Sequence, residues 1–266
     1  MPLDISARFT FWLDRPTDVL LHFEAAMLPE QTVLSANTIL SPALHMARVP
    51  ATDMIGERIL LRAEGAFAVN YRAQVEVKRQ LADVATLAAL EPHELPGAVV
   101  GYLFDSRYCQ ADKLQSFVTT RFGGEEGGAR IALMRDWIAA EIAYEGGCST
   151  AETTALDTFV ERRGVCRDFA HVMIAFARAS AIPARYVSCF SPGVEPPDFH
   201  AVAEVFLADP ATPGGGAWYM VDATGMADPA TTAKIGVGHD AADVSFMTVF
   251  GEADYGDHEV RVSHSS

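Results

Sequence analysis

Gly164-Val165-Cys166-Arg167-Asp168-Phe169-Ala170-His171 is the stretch on which the reading of this chain turns. A helical period starts within a residue or so of Cys166 and runs to Ser180, with Phe169, Val172, Met173 and Phe176 on its apolar face. The first turn of a helix carries unpaired N–H groups and a partial positive charge, which favour a thiolate over a thiol. Arg167 adds a positive charge beside it. A thiolate is the nucleophilic form of cysteine, and the N–H of Cys166 would point toward an oxyanion formed at that sulfur. A buried structural cysteine at a helix start is the alternative. Cys109, Cys148 and Cys189 form no C-x-x-C pair and stand near no His at zinc-finger spacing, so they read as small apolar residues.

A nucleophilic cysteine needs a base, and the chain has 8 His. His22, His45 and His93 fall in the first half or the linker, and His239, His258 and His264 in polar stretches that read as solvated. His171, five residues along the same helix, projects away from Cys166 and reads as structural. His200 closes a Pro-rich loop and opens the strand His-Ala-Val-Ala-Glu-Val-Phe-Leu. With Ala201–Leu207 and Trp218–Val221 as antiparallel neighbours around residue 211, 204 pairs with 218, 202 with 220 and 200 with 222. Position 222 is Asp. A carboxylate on one imidazole nitrogen would set the tautomer and free the other for a thiol. An edge-strand His and a turn Asp are the plainer readings. Glu204 shares the His200 face and reads as a charge partner of Arg185 or Arg167.

Outward from this centre, helices are expected over Ala129–Tyr144 and Glu152–Arg163, the latter with Ser149 and Glu152 as a capping box and Gly164 as its stop. The run Gly123–Gly128 reads as a loop, and strands are expected over Ala184–Phe190 and near Glu259–Val262. The first 105 residues read as β. Phe67, Val69, Tyr71, Ala73, Val75 and Val77 alternate with more polar positions, and shorter strands fit Arg8–Leu13, Val19–Glu24, Thr32–Ile39 and Arg58–Ala63. Turn residues separate them, which suggests a small antiparallel sandwich. Pro92, Pro96, Gly97 and Gly101 mark a boundary, dividing the chain into 1–105, β-rich, and 106–266, carrying the site and a C-terminal strand.

The composition sets outer limits. Of 266 residues half are hydrophobic and 21% charged, which fits a folded protein. Lys plus Arg number 20 against 35 Asp plus Glu, a formal charge of −15 that argues against nucleic acid or an anionic membrane as partner. No apolar run approaches a membrane span. The start, MPLDISARFTFWLDRPTD, reads as no signal peptide, which makes a cytoplasmic location the expectation. No H-E-x-x-H and no D-x-[DN]-x-[DN]-G loop occurs, so no metal and no cofactor is expected.

These residues resemble a known family. Gly164–His171, then Ile182-Pro183-Ala184-Arg185-Tyr186-Val187-Ser188, then His200-Ala201-Val202-Ala203-Glu204-Val205, then Val221-Asp222-Ala223-Thr224, are similar to the transglutaminase-like core, in the bacterial branch with a β-rich N-terminal region. The resemblance covers about residues 110–250. It implies an α+β, papain-like core preceded by the antiparallel sandwich, and a Cys-His-Asp triad of Cys166, His200 and Asp222. Val202, Ala223 and Cys189 depart from residues the family often carries at those places; none removes a catalytic group. The reaction implied is thiolate attack on a peptide or protein amide, with the acyl group passing to water. Transfer to an amine, as by a protein-glutamine gamma-glutamyltransferase, and a non-catalytic binding module are the alternatives. Tyr144 and Tyr186 are candidates for a second oxyanion donor.

Overall fold

A computed structural model describes residues 1–52, 55–211 and 215–265. Among these, strands β1 (Leu3–Leu21), β2 (Gln31–Leu40), β3 (His45–Val49) and β4 (Arg58–Val77) come first. Short helical turns follow, including α1 (Gly97–Val100), where the prolines and glycines break the β pattern. Helices α2 (Gln115–Phe122) and α3 (Gly127–Glu141) precede β5 (Ala143–Tyr144), and α4 (Ala155–Glu161) precedes β6 (Arg163–Gly164) and α5 (Cys166–Arg178). Then come β7 (Ala184–Phe190), β8 (His200–Ala208), β9 (Gly216–Val221), β10 (Ala233–Gly238), α6 (Ala241–Val244), β11 (Met247–Val249) and β12 (Asp254–His264). The architecture is α+β, as expected.

The first sheet runs β11-β1-β4-β2, with β12 also on β1 and β3 also on β4, and every pairing is antiparallel. Side chains alternate across a strand, so Leu3, Ile5, Ala7, Phe9, Phe11 and Leu13 of β1 are all buried while their neighbours face out. Two pairs of expected strands prove to be single long ones. Asp14-Arg15-Pro16, which reads as a turn, lies inside β1 where the register against β4 shifts between Leu13 and Thr17. A bulge leaves a residue unpaired, so proline is tolerated there. Gly65, on β4 across this point, has φ 75°, a conformation open to glycine at little cost. β3, for which no strand is expected, pairs with the first half of β4.

The C-terminal strand departs from the expected division. β11 and β12 pair with β1, at Val19↔Val249 and Leu3↔His264, so the end of the chain completes the N-terminal sheet rather than the core. The apolar face of this sheet also takes in Phe190, Ala233 and Ile235 of the second sheet, so the two sheets share one core. Gln31 joins them: its amide donates to Ala26 O and Lys234 O at 2.6 and 2.8 Å and accepts from Lys234 N at 2.8 Å.

The second sheet is antiparallel in the order β10-β7-β8-β9. Helix α5 lies against β7 and β8, and every residue from Asp168 to Arg178 is buried. Arg178 ties the helix end down by donating to Ala184 O, Phe104 O and His239 O. The expected helix boundaries shift. α3 starts at Gly127, inside the expected glycine loop. α4 is capped by Thr154 with Asp157, not Ser149 with Glu152, and ends at Glu161, with Arg162 left-handed at φ 59° ahead of Gly164. The tip of the expected hairpin loop, residues 212–214, lies outside the described residues.

Candidate active site

Val165 is extended and α5 begins at Cys166, which places the thiol at the first helical position. Asp168, fully buried, accepts from Val165 N at 2.9 Å and from Arg167 at 3.1 Å, closing the first turn. Gly164 is needed here because a Cβ would lie 2.7 Å from Asp168 Cβ and 3.2 Å from Thr158 Cγ2. The parallel bridge Tyr144↔Gly164 then sets Tyr144 beside the start of the helix. The Tyr144 hydroxyl interacts with both the backbone and the thiol of Cys166. Burial and the charge of that thiol push the hydroxyl up to about 12.

β8 brings His200 in from the sheet. The β8–β9 register pairs Glu204 with Met220 and Ala203 with Val221, two residues from the expected pairing of 204 with 218. A two-residue slip keeps each side chain on its own face, so His200 and Asp222 still meet, diagonally, with Nε2···Oδ2 at 3.0 Å. Asp222 follows the end of β9 and its carboxylate is held on every side. Oδ1 accepts from Thr224 N at 2.8 Å, and Oδ2 accepts from Met226 N at 3.0 Å and Ala227 N at 2.7 Å. The Thr224 hydroxyl lies within 2.7 and 2.9 Å of the two oxygens. Burial alone would raise this carboxyl; the bonds from His200, Ala227 and Thr224 and the His200 charge hold it below its ordinary value.

His200 is under opposed influences. Burial lowers its pKa, but the hydrogen bond and charge of Asp222 and the interaction with Cys166 outweigh that and raise it from 6.5 to about 9. Its second nitrogen, Nδ1, is buried with no hydrogen-bond partner among the described residues. Cys166 and His200 line the same cleft, of about 270 Å³, together with Tyr186, which stands on the sheet floor.

The other candidates take different places. His171 is buried between the rings of Tyr108 and Tyr186, at 5.1 and 5.2 Å, and Ala241 N donates to its Nε2. Burial drives its pKa down to about 3, so it is a neutral structural imidazole. Glu204 pairs with Arg185 at 2.7 Å and with Lys234, in a buried ionic cluster. His258 corrects the expectation of a purely solvated side chain: it is partly exposed, but it lines the cleft and its Nε2 lies 3.3 Å from Asp198 Oδ2. Tyr255, from the same strand, also lines the cleft. No local signal marks either residue, because both arrive through the pairing of β12 with β1. Among the described residues no group of three or more His, Cys, Asp or Glu side chains is arranged to hold a metal ion. No described helix is long and apolar enough to cross a membrane.

Several known proteins are similar to this chain. Residues 111–223 match the transglutaminase-like superfamily. The crystal structure of a proposed cysteine protease from Cytophaga hutchinsonii is similar over 99% of this chain and 90% of its own, with 32% identity and a TM-score of 0.91. An uncharacterized protein of Mycobacterium tuberculosis is 33% identical over 118 residues, which is 40% of this chain and 37% of that protein. One from Mycobacterium leprae is 38% identical over 52 residues, 20% of this chain and 19% of its own length. This chain thus matches well under half the length of these mycobacterial relatives.

Proposed function

The chain belongs to the transglutaminase-like superfamily, and from that membership we propose that it is a thiol-dependent amide hydrolase acting on peptides or proteins, with Cys166 as nucleophile, His200 as acid and base, and Asp222 as orienter. The observation that carries this reading is the His200 ring, bound through Nε2 to Asp222 at 3.0 Å, raised to about 9, and lining one cleft with Cys166. A base that keeps its proton beside a sulfur favours a thiolate–imidazolium pair.

The thiolate attacks the amide carbonyl and forms a C–S bond. The carbonyl electrons move to oxygen, where the N–H of Cys166 and the Tyr144 hydroxyl would donate. Collapse of this intermediate breaks the C–N bond as His200 gives its proton to the leaving amine. The acyl group remains on sulfur as a thioester. Neutral His200 then takes a proton from water, the water oxygen attacks the thioester, and the acid departs with the thiolate restored. Asp222 keeps the ring in one tautomer throughout. Water as acceptor is supported by the likeness to a proposed cysteine protease over nearly the whole chain.

Two measurements test this. Iodoacetamide at pH 6 should label Cys166 faster than Cys109 or Cys148; equal rates would remove the basis for the enzyme reading. Incubation with a glutamine peptide and a fluorescent primary amine should release free acid in excess of amine incorporation, and Cys166→Ala should abolish it. Incorporation exceeding release would make the protein an acyl transferase instead.

A further inference from the structure

The cleft beside Cys166 is closed on one side by the C-terminal strand, and the way that strand presents its residues is unusual. Tyr255 and His258 are three apart, so in a regular strand they would face opposite sides. Their partners on β1 are only two apart: Phe11 pairs with Tyr255 and Phe9 with His258. One intervening residue on β1 therefore stands against two on β12, the count of a β-bulge, and bulges re-aim side chains next to functional sites. Gly256 makes this possible, because a Cβ there would lie 2.5 Å from Thr10 Oγ1 and 3.3 Å from Thr10 O. Thr10 Oγ1 in turn donates to Asp257 O at 3.4 Å. The result is that both Tyr255 and His258 line the cleft that holds Cys166.

What they build is an aromatic wall. The Tyr255 ring meets Phe246 edge-on at 5.6 Å, and Phe246 stacks on Phe199 at 5.2 Å and 15°. Tyr255 remains 41% exposed, so part of its surface is open to an incoming group. At the rim, the Asp198–His258 pair is half-exposed on both sides. The volume of about 270 Å³ falls just below the range of about 300–1,000 Å³ for small-molecule sites, which suits one side chain rather than an extended ligand.

We infer that Tyr255 and His258 are the specificity-determining wall, and that they select a large apolar or aromatic side chain on the residue next to the scissile amide. This rests on the reading of Cys166 as the nucleophile. The rings of Phe199, Phe246 and Tyr255 offer apolar area to such a side chain. The charged groups lining the cleft already have partners, Asp198 with His258 and Arg167 with Asp168, so an acidic side chain would lie against the rings without compensation for its lost hydration. The N-terminal sheet is then part of the substrate site, since β12 is held in place by β1.

The test is alkylation of Cys166 in the full chain, followed by mass spectrometry. The probes are peptidyl chloromethyl ketones that differ only in the residue beside the electrophile, namely Phe, Leu, Gly or Glu, with iodoacetamide as a probe of the thiol alone. Phe and Leu should react at least ~10-fold faster than Gly, and Glu slowest. Tyr255→Ser should bring the Phe/Gly ratio down to within ~2-fold of unity, and Tyr255→Phe should restore it. Should Tyr255→Ser fail to fold, the wild-type series and Gly256→Ala, in which the wall is displaced and the ratio should drop, decide instead. Equal rates across the series, or a preference for Gly or Glu, in protein whose Cys166 reacts with iodoacetamide would overturn the wall and leave the nucleophile standing. A Cys166 inert to every probe would overturn both.

Discussion

His200 Nε2 and Asp222 Oδ2 lie 3.0 Å apart although the two residues are not directly opposite in the β8–β9 hairpin. Asp222 stands one position past the strand end, and its carboxylate reaches back along the sheet face to the imidazole. The bond survives because five further contacts, from Thr224, Met226 and Ala227, pin the carboxylate. Against the cost of burial, these donors and the His200 ring keep Asp222 a fixed negative charge, and that charge raises the proton affinity of His200.

Activity should therefore carry an alkaline limb near pH 9, where His200 loses its proton. Asp222→Asn removes the charge that opposes burial, so this limb should move to lower pH, and kcat/KM should fall by roughly 100-fold or more. A pH–rate profile of both proteins checks this. Because the folded value lies above the ordinary 6.5, the contribution of His200 to stability is fully present below pH 6.5 and lost as pH rises through 9. Its size is on the order of 3 kcal/mol. Thermal unfolding between pH 6 and 10 should show that decline in the wild type and much less of it in Asp222→Asn.

Tyr144→Phe should reduce kcat by about 100-fold while KM changes little, if its hydroxyl donates only to the developing oxyanion. The fold should hold, because the ring contact with Phe169 at 5.8 Å does not use the hydroxyl. Steady-state kinetics with circular dichroism separates the two effects.

The cluster of Lys234, Glu204, Arg185 and Glu30 should behave as a buried network. Burial would raise Glu204, but the charges of Lys234 and Arg185 outweigh it and hold the carboxyl down at about 2. Lys234→Met leaves two carboxylates without their shared cation and should destabilise by about 3–5 kcal/mol. Lys234→Met combined with Glu204→Gln should recover part of the loss, as read by urea unfolding. The Glu204 contribution is present above pH 4.5 and lost as pH falls through 2.

Gly164→Ala should destabilise by about 1–3 kcal/mol, since the added methyl meets Asp168 Cβ at 2.7 Å. It should also slow iodoacetamide labelling of Cys166, because Asp168 closes the first turn that presents the thiol. Wild-type labelling in a protein destabilised to this degree would show that the helix start tolerates the shift.

Much of the molecule is legible along the chain, and the reason is locality. Period two over Phe67–Val77 reports a half-buried strand, and the helical period after Cys166 reports a helix whose first turn carries the sulfur, because each pattern depends on neighbours a few residues away. Hairpin parity puts His200 and Asp222 on one face, and parity tolerates the two-residue error in register. Asp14-Arg15-Pro16 misled for a related reason: turn chemistry and bulge chemistry use the same residues, and only the pairing of β1 with β4 tells them apart.

The remainder lies in contacts between distant parts of the chain. Local position as well as residue type marks Cys166, His200 and Asp222 as candidates: a helix start, a loop–strand junction and a hairpin partner are all short-range features. Tyr144 joins Cys166 through a two-residue bridge, and Tyr255 and His258 reach the cleft because a strand at the end of the chain pairs with one at its beginning. No local periodicity encodes such a meeting. It depends on the summed burial of whole sheet faces, which exists only once the chain has closed on itself.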